Sequence, residues 1–405
     1  MSHMKPITAA LLAGLSGLAV TASAQAQEEI QFINCGANDG EAPALQTEHI
    51  NAWLAENPGY TVTEEYVPWG QCQERAITLA SAGDPPALAY LGSRTLPQLA
   101  ESELILPIPA SDELINSYRE SVRSTVQFDG QMWGLPRAFS TKALFINATL
   151  FEEAGVEAPT TWEETVAAAQ AISEGTEAAG IGIPAASFDN TMHQWLSWFY
   201  SNGAEVIDAE GNVVIDSPEA IAAFQLYADL APYAQDGPVA YDRAELEPLF
   251  QNGQIAMMIH GYSFAARAGD VDWQIIPVPA GPNGDHSTLL ITDSLAVFDG
   301  SGQEEAAMSL AMYLTAPERQ AVFDDTAGWT PIRESEFTAA LRENDANWAF
   351  FLDTIEIGGP EPQMVDFLSM QDVINEALQG VILGELTAEE AATQAAEELR
   401  DLQDG

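Results

Sequence analysis

The groups in this chain best able to do acid, base or nucleophilic chemistry are not spaced for it. The five histidines, His3, His49, His193, His260 and His286, show no metal-ligand spacing. No H-E-x-x-H, G-x-S-x-G or phosphate-cradling glycine loop occurs. The 61 acidic residues guarantee close carboxylate pairs by number alone, so a glycosidase-like pair is neither indicated nor excluded. No residue is therefore assigned a catalytic role, and no metal or cofactor is implied. Binding chemistry is better provided for. Aromatic rings that stack on apolar faces, beside planar polar groups that take hydroxyls, make carbohydrate sites. Asn38, Asp39, Trp69 and Arg94 all follow short apolar runs. Thr292 and Asp293 interrupt the apolar run from Leu289 to Phe298, which costs stability unless they find partners.

These residues need elements to hold them, and the pattern supplies an alternation. Glu29–Cys35 reads as a buried strand, Ala44–Asn57 as an amphipathic helix and Tyr60–Val67 as a second strand. Trp69-Gly70 reads as a turn, Gln71–Ala82 as a helix and Ala87–Leu91 as a third strand. Strands alternating with helices predict a largely parallel, doubly wound sheet. Ligands of such sheets bind beyond the carboxyl ends of the strands, where Gly36–Gly40, Trp69–Gln71 and Gly92–Thr95 lie. Further on, Thr161 and Glu164 predict a capping box, and Gly155 a helix stop. Helices are expected over Trp162–Ser173, Met192–Asn202, Pro218–Ala231, Gln303–Leu314, Val373–Gln379 and Glu389–Leu402.

The N-terminus has the form of an export signal. Lys5 supplies the charge, Ile7–Ala22 the apolar stretch, and Ala22-Ser23-Ala24 or Ala24-Gln25-Ala26 the cleavage site. Residues 1–26 are read as a removed signal peptide, because Gly14, Ser16 and Gly17 interrupt the run as a membrane anchor. No second apolar run approaches the roughly 20 residues that span a bilayer. Thirteen basic against 61 acidic residues leave a net charge of −48. Such a chain repels nucleic acid and anionic membranes, and its surface suits salty surroundings.

One stretch is more specific than its parts. Gly134-Leu135-Pro136, then Leu144-Phe145-Ile146-Asn147, Phe151-x-x-Ala154-Gly155 and Pro159-Thr-Thr-Trp-Glu-Glu164 follow one another. This order resembles the extracellular solute-binding proteins of ABC importers, in the sugar-binding group that includes maltose-binding proteins. Phe250-x-x-Gly253-x-x-Ala256-Met257 and Pro277-Val-Pro-Ala-Gly-Pro282 agree with it. The resemblance implies an α/β, two-lobed periplasmic binding protein fold, each lobe a mainly parallel sheet flanked by helices. Three hinge crossings are implied, near 138–141, 291–293 and 329–333. Lobe one is then 27–139 plus 293–330, and lobe two is 140–291 plus 331–405.

The same resemblance places a ligand between the lobes. Its candidate contacts are Asn38, Asp39, Trp69, Arg94, Arg137, Ser140, Thr141, Tyr262, Thr292, Asp293 and Trp329. The implied ligand is a sugar, polyol or glycoside, and the implied partner is a membrane permease. A periplasmic, monomeric receptor follows, rather than an enzyme. Arg94 and Ser140 stand where maltose-binding proteins carry acids, and Arg137, Lys142 and Arg267 lie close by. This leaves open an anionic ligand, such as a glycerol phosphate or sulfonated sugar, or arginines paired with carboxylates. An extracellular carbohydrate-active enzyme is the alternative of another class. Cys35 and Cys72 are the only cysteines. Export favours a bridge between them, and neighbouring strand ends in this family would bring them together, with two buried thiols as the alternative.

Overall fold

The computed structural model describes residue 1, residues 27–36 and residues 40–404. The proposed signal segment, Asn38 and Asp39 lie outside these. The chain opens with β1 (Glu28–Cys35), α1 (Glu41–Glu56), β2 (Tyr60–Val67), α2 (Trp69–Ser81) and β3 (Leu88–Gly92). β1 pairs in parallel with both β2 and β3. Two antiparallel strands complete this sheet, β4 (Leu135–Ser140) and the long β8 (Thr288–Val297), and a short β9 (Gly358–Pro360) pairs in parallel with β8. The order across the sheet is β9-β8-β3-β1-β2, with β4 also paired to β8. A second sheet has β5 (Ala143–Asn147) between β6 (Met257–His260) and β7 (Trp273–Ile276), all antiparallel. Parallel bridges at Ala179–Ile255 and Ile181–Ala234 flank it. The parallel arrangement is thus clearest in the first sheet.

Each sheet has its own core. Ile30, Phe32, Ile33, Leu88 and Leu91 anchor the first, under α6 (Glu304–Leu314), and α7 (Pro317–Ala327) follows to pack on α1. The second core gathers Leu144, Ile146 and the helices α3 (Asp189–Ser201), α4 (Pro218–Leu230), α8 (Phe367–Ile382) and α9 (Ala388–Asp404). Trp195 belongs wholly to it, with ring centroids 4.5 Å from Phe199 and 4.6 Å from Phe224. β8 passes from one core to the other. Leu289 and Ile291 enter the second, Leu290 and Leu295 the first.

Local signals explain the joints. Gly155 ends its helix at φ 66°, in the left-handed region where glycine is free of a Cβ clash. The Thr161 hydroxyl accepts from the Glu164 amide at 3.2 Å. The Glu164 carboxylate reaches one residue further back than a capping box requires, to the amide and hydroxyl of Thr160. Trp69-Gly70 is not a turn but the start of α2, because Pro68 sits before the first turn with extended backbone. Cys35 at the end of β1 and Cys72 in the first turn of α2 are bridged, with Cα atoms 5.4 Å apart. No helix among the described residues is long and apolar enough to cross a membrane.

Candidate ligand-binding cleft

The carboxyl ends of β1 and β3, the start of α2 and the run after α7 face residues of the second sheet's body across a cleft. It has an outer chamber of about 810 Å³ and an inner one of about 240 Å³. Trp69, Trp329, Asn190, Arg243 and Arg267 line both. One wall of the outer chamber is aromatic, with Tyr66, Trp69, Tyr90, Phe323 and Trp329. Trp69 is held edge-on to Tyr90 at 5.6 Å. Gly36, at φ +115°, leaves room for it, since a Cβ there would sit 3.3 Å from the indole nitrogen. Beneath the wall, the buried Gln46 amide donates to Asn34 and Glu64, each at 2.8 Å. Gly328 brings the Trp329 loop against the opposite wall, where a Cβ would lie 3.1 Å from the Ser263 Cα.

The inner chamber is charged. Arg94, 1% exposed, donates to Asp189 at 2.7 Å and Asp293 at 3.3 Å, and lies 3.2 Å from Glu361. His193 Nε2 lies 2.7 Å from the same Glu361 oxygen. Burial pushes the Asp293 and Glu361 carboxyls up to about 7, against the pull of Arg94. Burial, then Arg94, holds His193 well below the usual histidine range. Lys142 is pushed down to about 8 by burial and then by Arg243, and its Nζ lies 3.4 Å from Ser140 Oγ. On the facing wall Glu247 of α5 (Arg243–Gln251) collects Arg243 at 2.9 Å, Arg267 at 3.1 Å and His260 at 3.1 Å. Burial raises the Glu247 pKa, but His260 and the two arginines outweigh it and bring it to about 2. Among the described residues, no His, Cys, Asp or Glu cluster is arranged to hold a metal.

The residues singled out from the sequence divide cleanly. Trp69, Trp329, Arg94, Ser140 and Asp293 line the cleft. Arg94 nevertheless grips three protein carboxylates rather than standing free for an anion. Arg137, Thr141, Thr292 and Tyr262 line neither chamber. Strand alternation explains two of them. Ile291 and Asp293 point to the inner chamber, so Thr292 between them points away, its hydroxyl buried and unpartnered. Ser140 faces the cleft and Arg137, three residues earlier, faces the interior. There it donates to the Leu314 carbonyl at 3.0 Å and Gln320 at 3.2 Å, with Phe323 stacked 3.4 Å away. Thr141 bonds the Phe351 carbonyl. Tyr262 stacks on Trp348 at 3.9 Å and donates to Asp345. Asp189, His193, Glu247, Glu361, Gln46 and Phe188 are the cleft and supporting residues that sequence reasoning missed. Only the i, i+4 spacing of Arg243 and Glu247 was a local signal.

A family model described as bacterial extracellular solute-binding protein matches residues 38–321. The chain belongs to that family. This extracellular solute-binding protein is 30% identical over 387 residues to a binding protein of Brucella abortus, covering 93% of each chain. It is 25% identical over 305 residues to the sn-glycerol-3-phosphate-binding periplasmic protein UgpB of Rhizobium meliloti, covering 66% of this chain and 67% of that one. Among solved structures it is similar to maltose-bound T. maritima MalE3, at a TM-score of 0.82 and 23% identity, over 92% of this chain and 99% of that one. That likeness establishes the two-lobed α/β fold.

Proposed function

We propose that this protein captures a neutral sugar, polyol or glycoside outside the cytoplasm and delivers it to the permease of an ABC importer. It acts in the periplasm as a monomer after removal of residues 1–26, and its chemistry is binding without turnover. Residues 27–139 plus 293–330 move as one lobe and 140–291 plus 331–405 as the other. Closure bends the three crossing segments. The observation that carries the ligand class is the aromatic wall of Trp69 and Trp329 at the junction of the two chambers, with polar groups opposite.

The cleft arginines argue for a neutral ligand over an anion. Arg94, Arg243 and Arg267 each already hold a carboxylate. A phosphate entering the inner chamber would meet Asp189 and Asp293 beside Arg94, whose guanidinium those carboxylates already hold. Thermal-shift screening followed by calorimetry tests the proposal, because a ligand bound only by the folded state raises the melting temperature. Saturable stabilisation by a neutral saccharide, greater than by its phosphorylated counterpart, is expected. Preference for the phosphorylated form overturns the ligand class, and steady hydrolysis of glycosides overturns the receptor reading.

A further inference from the structure

α7 separates the cleft from a second cavity of about 720 Å³. Phe323 of α7 faces the cleft, while Gln320 and Asp324 face the second cavity. The two share no wall residue. The other walls are 116–119 and the run 331–335 that follows Trp329.

The lining of this cavity brings Tyr118, Arg119 and Arg333 together with the carboxyls of Glu318, Asp324 and Glu334. Tyr118 and Arg333 are 4% and 8% exposed, and the Arg119 side chain is 8% exposed. Arg119 Nε donates to the Pro331 carbonyl at 2.9 Å. Arg333 donates to Ser117 Oγ at 3.1 Å and the Thr315 carbonyl at 3.3 Å, and its guanidinium lies 4.3 Å from the centre of the Tyr118 ring. These bonds fix the heads of both arginines. They leave Arg119 Nη2, Arg333 Nη1 and the Tyr118 hydroxyl buried without a hydrogen-bond partner. An unpaired buried donor costs about 1–3 kcal/mol, and more when charged. Three of the buried side-chain atoms without a partner thus belong to residues that line this one cavity.

The nearby carboxyls do not fill the gap. Asp324 accepts from the Gln320 amide at 2.7 Å, and burial pushes its carboxyl up to about 8. Glu334 pairs with Arg119 from the rim, but its side chain is 67% exposed. It is therefore a loosely held carboxylate, occupying one edge of an arginine whose other edge is unmatched. Guanidinium groups recognise oxyanions with paired acceptor oxygens.

We propose that the cavity formed by Tyr118, Arg119, Arg333 and α7 is a second binding site, specific for a small oxyanion, in which Glu334 competes as a displaceable carboxylate. The site is independent of the sugar cleft. Its occupant docks against the run 331–335, on the side of α7 away from the cleft.

Calorimetric titration of the full chain at low ionic strength tests it, with inorganic phosphate and acetate as probes. One saturable site is expected for at least one probe, and the tighter probe identifies the oxyanion. Glu334→Gln should tighten that binding about threefold by removing the competitor. Tyr118→Phe, which removes one hydroxyl, should weaken it about fivefold, the size of one hydrogen bond. Trp329→Ala in the cleft should leave it unchanged. No saturable binding of either probe to wild type or Glu334→Gln overturns the proposal. Binding lost in Trp329→Ala but unaltered in Tyr118→Phe and Glu334→Gln places the anion in the cleft and overturns it equally. Should Tyr118→Phe not fold, tightening in Glu334→Gln with no change in Trp329→Ala still decides.

Discussion

The two chambers of the cleft use opposite physics. The outer one presents half-buried rings, Trp69 and Trp329, packed at the edge of the first core with part of each left open to the chamber. The inner one presents Arg94, Asp189, Asp293 and Glu361, whose charges are engaged with one another. A stacked ring contributes to affinity because its apolar face is still available for burial. A buried ion cluster contributes little net attraction, since desolvation offsets the Coulomb gain, but losing one member is costly. Trp69 and Trp329 line both chambers, so on the proposed reading the outer rings meet the ligand while the inner charges tie together the segments around Arg94.

The largest test of this contrast is Arg94→Met. It strands three carboxylates around an apolar side chain, so unfolding free energy should fall by about 3–5 kcal/mol in chemical denaturation. A stable variant that merely binds ligand weakly would return Arg94 to the ligand-contact set. Next comes the bridge beneath the aromatic wall. Cys35 and Cys72 are separated by 37 positions. Replacing both with serine should cost about 3–4 kcal/mol by the loop-entropy account, read from the urea midpoint. Reduction that leaves the midpoint unmoved would show the bridge to be neutral.

Trp329→Ala should reverse the pattern. Its ligand affinity should fall more than tenfold, about 1.4 kcal/mol or more, while the denaturation midpoint stays close to wild type. Unchanged affinity by calorimetry would make Trp329 a packing residue. The smallest effect is a slope with pH. Asp293 and Glu361 release their protons near 3.8 and 4.5 when unfolded but near 7 when folded. The native state therefore holds more protons between those limits, so their contribution is complete below about pH 4 and lost as pH rises through 7. Arg94, Lys142, Asp189 and His193 face the pair. Wild type should lose stability relative to Asp293→Asn as pH goes from 4 to 7, and parallel curves would reject the shift.

The fold was legible because its signals are local and repeated. The strand and helix patterns of 29–91 needed only periodicity, and Gly155 and Pro218 marked joints through their own backbone preferences. The helices across 336–353 and the strand Gly358–Pro360 carried no such mark. Their apolar residues serve contacts between distant segments, as Tyr262 on Trp348 shows. Within the site, Trp69 and Trp329 were legible by type and position. Asp189 and Glu361 were not, since nothing around either residue announces a partner 95 or 267 positions away.

By itself, the sequence determined the alternation of strands and helices, the strongly acidic surface, the even pair of cysteines and the family motifs. These depend on residue type and short spacing, which the chain carries in any conformation. The tertiary structure alone decided the use of the arginines. Arg94 and Arg137 are the same residue type beside the same strand, β8, yet one lines the inner chamber and the other faces the interior. The deciding facts are the pleat of β4 and β8 and the long-range arrival of Asp189, Glu361 and Gln320. A guanidinium takes the acceptors that the fold brings within hydrogen-bond reach, and spacing along the chain does not reveal which those are.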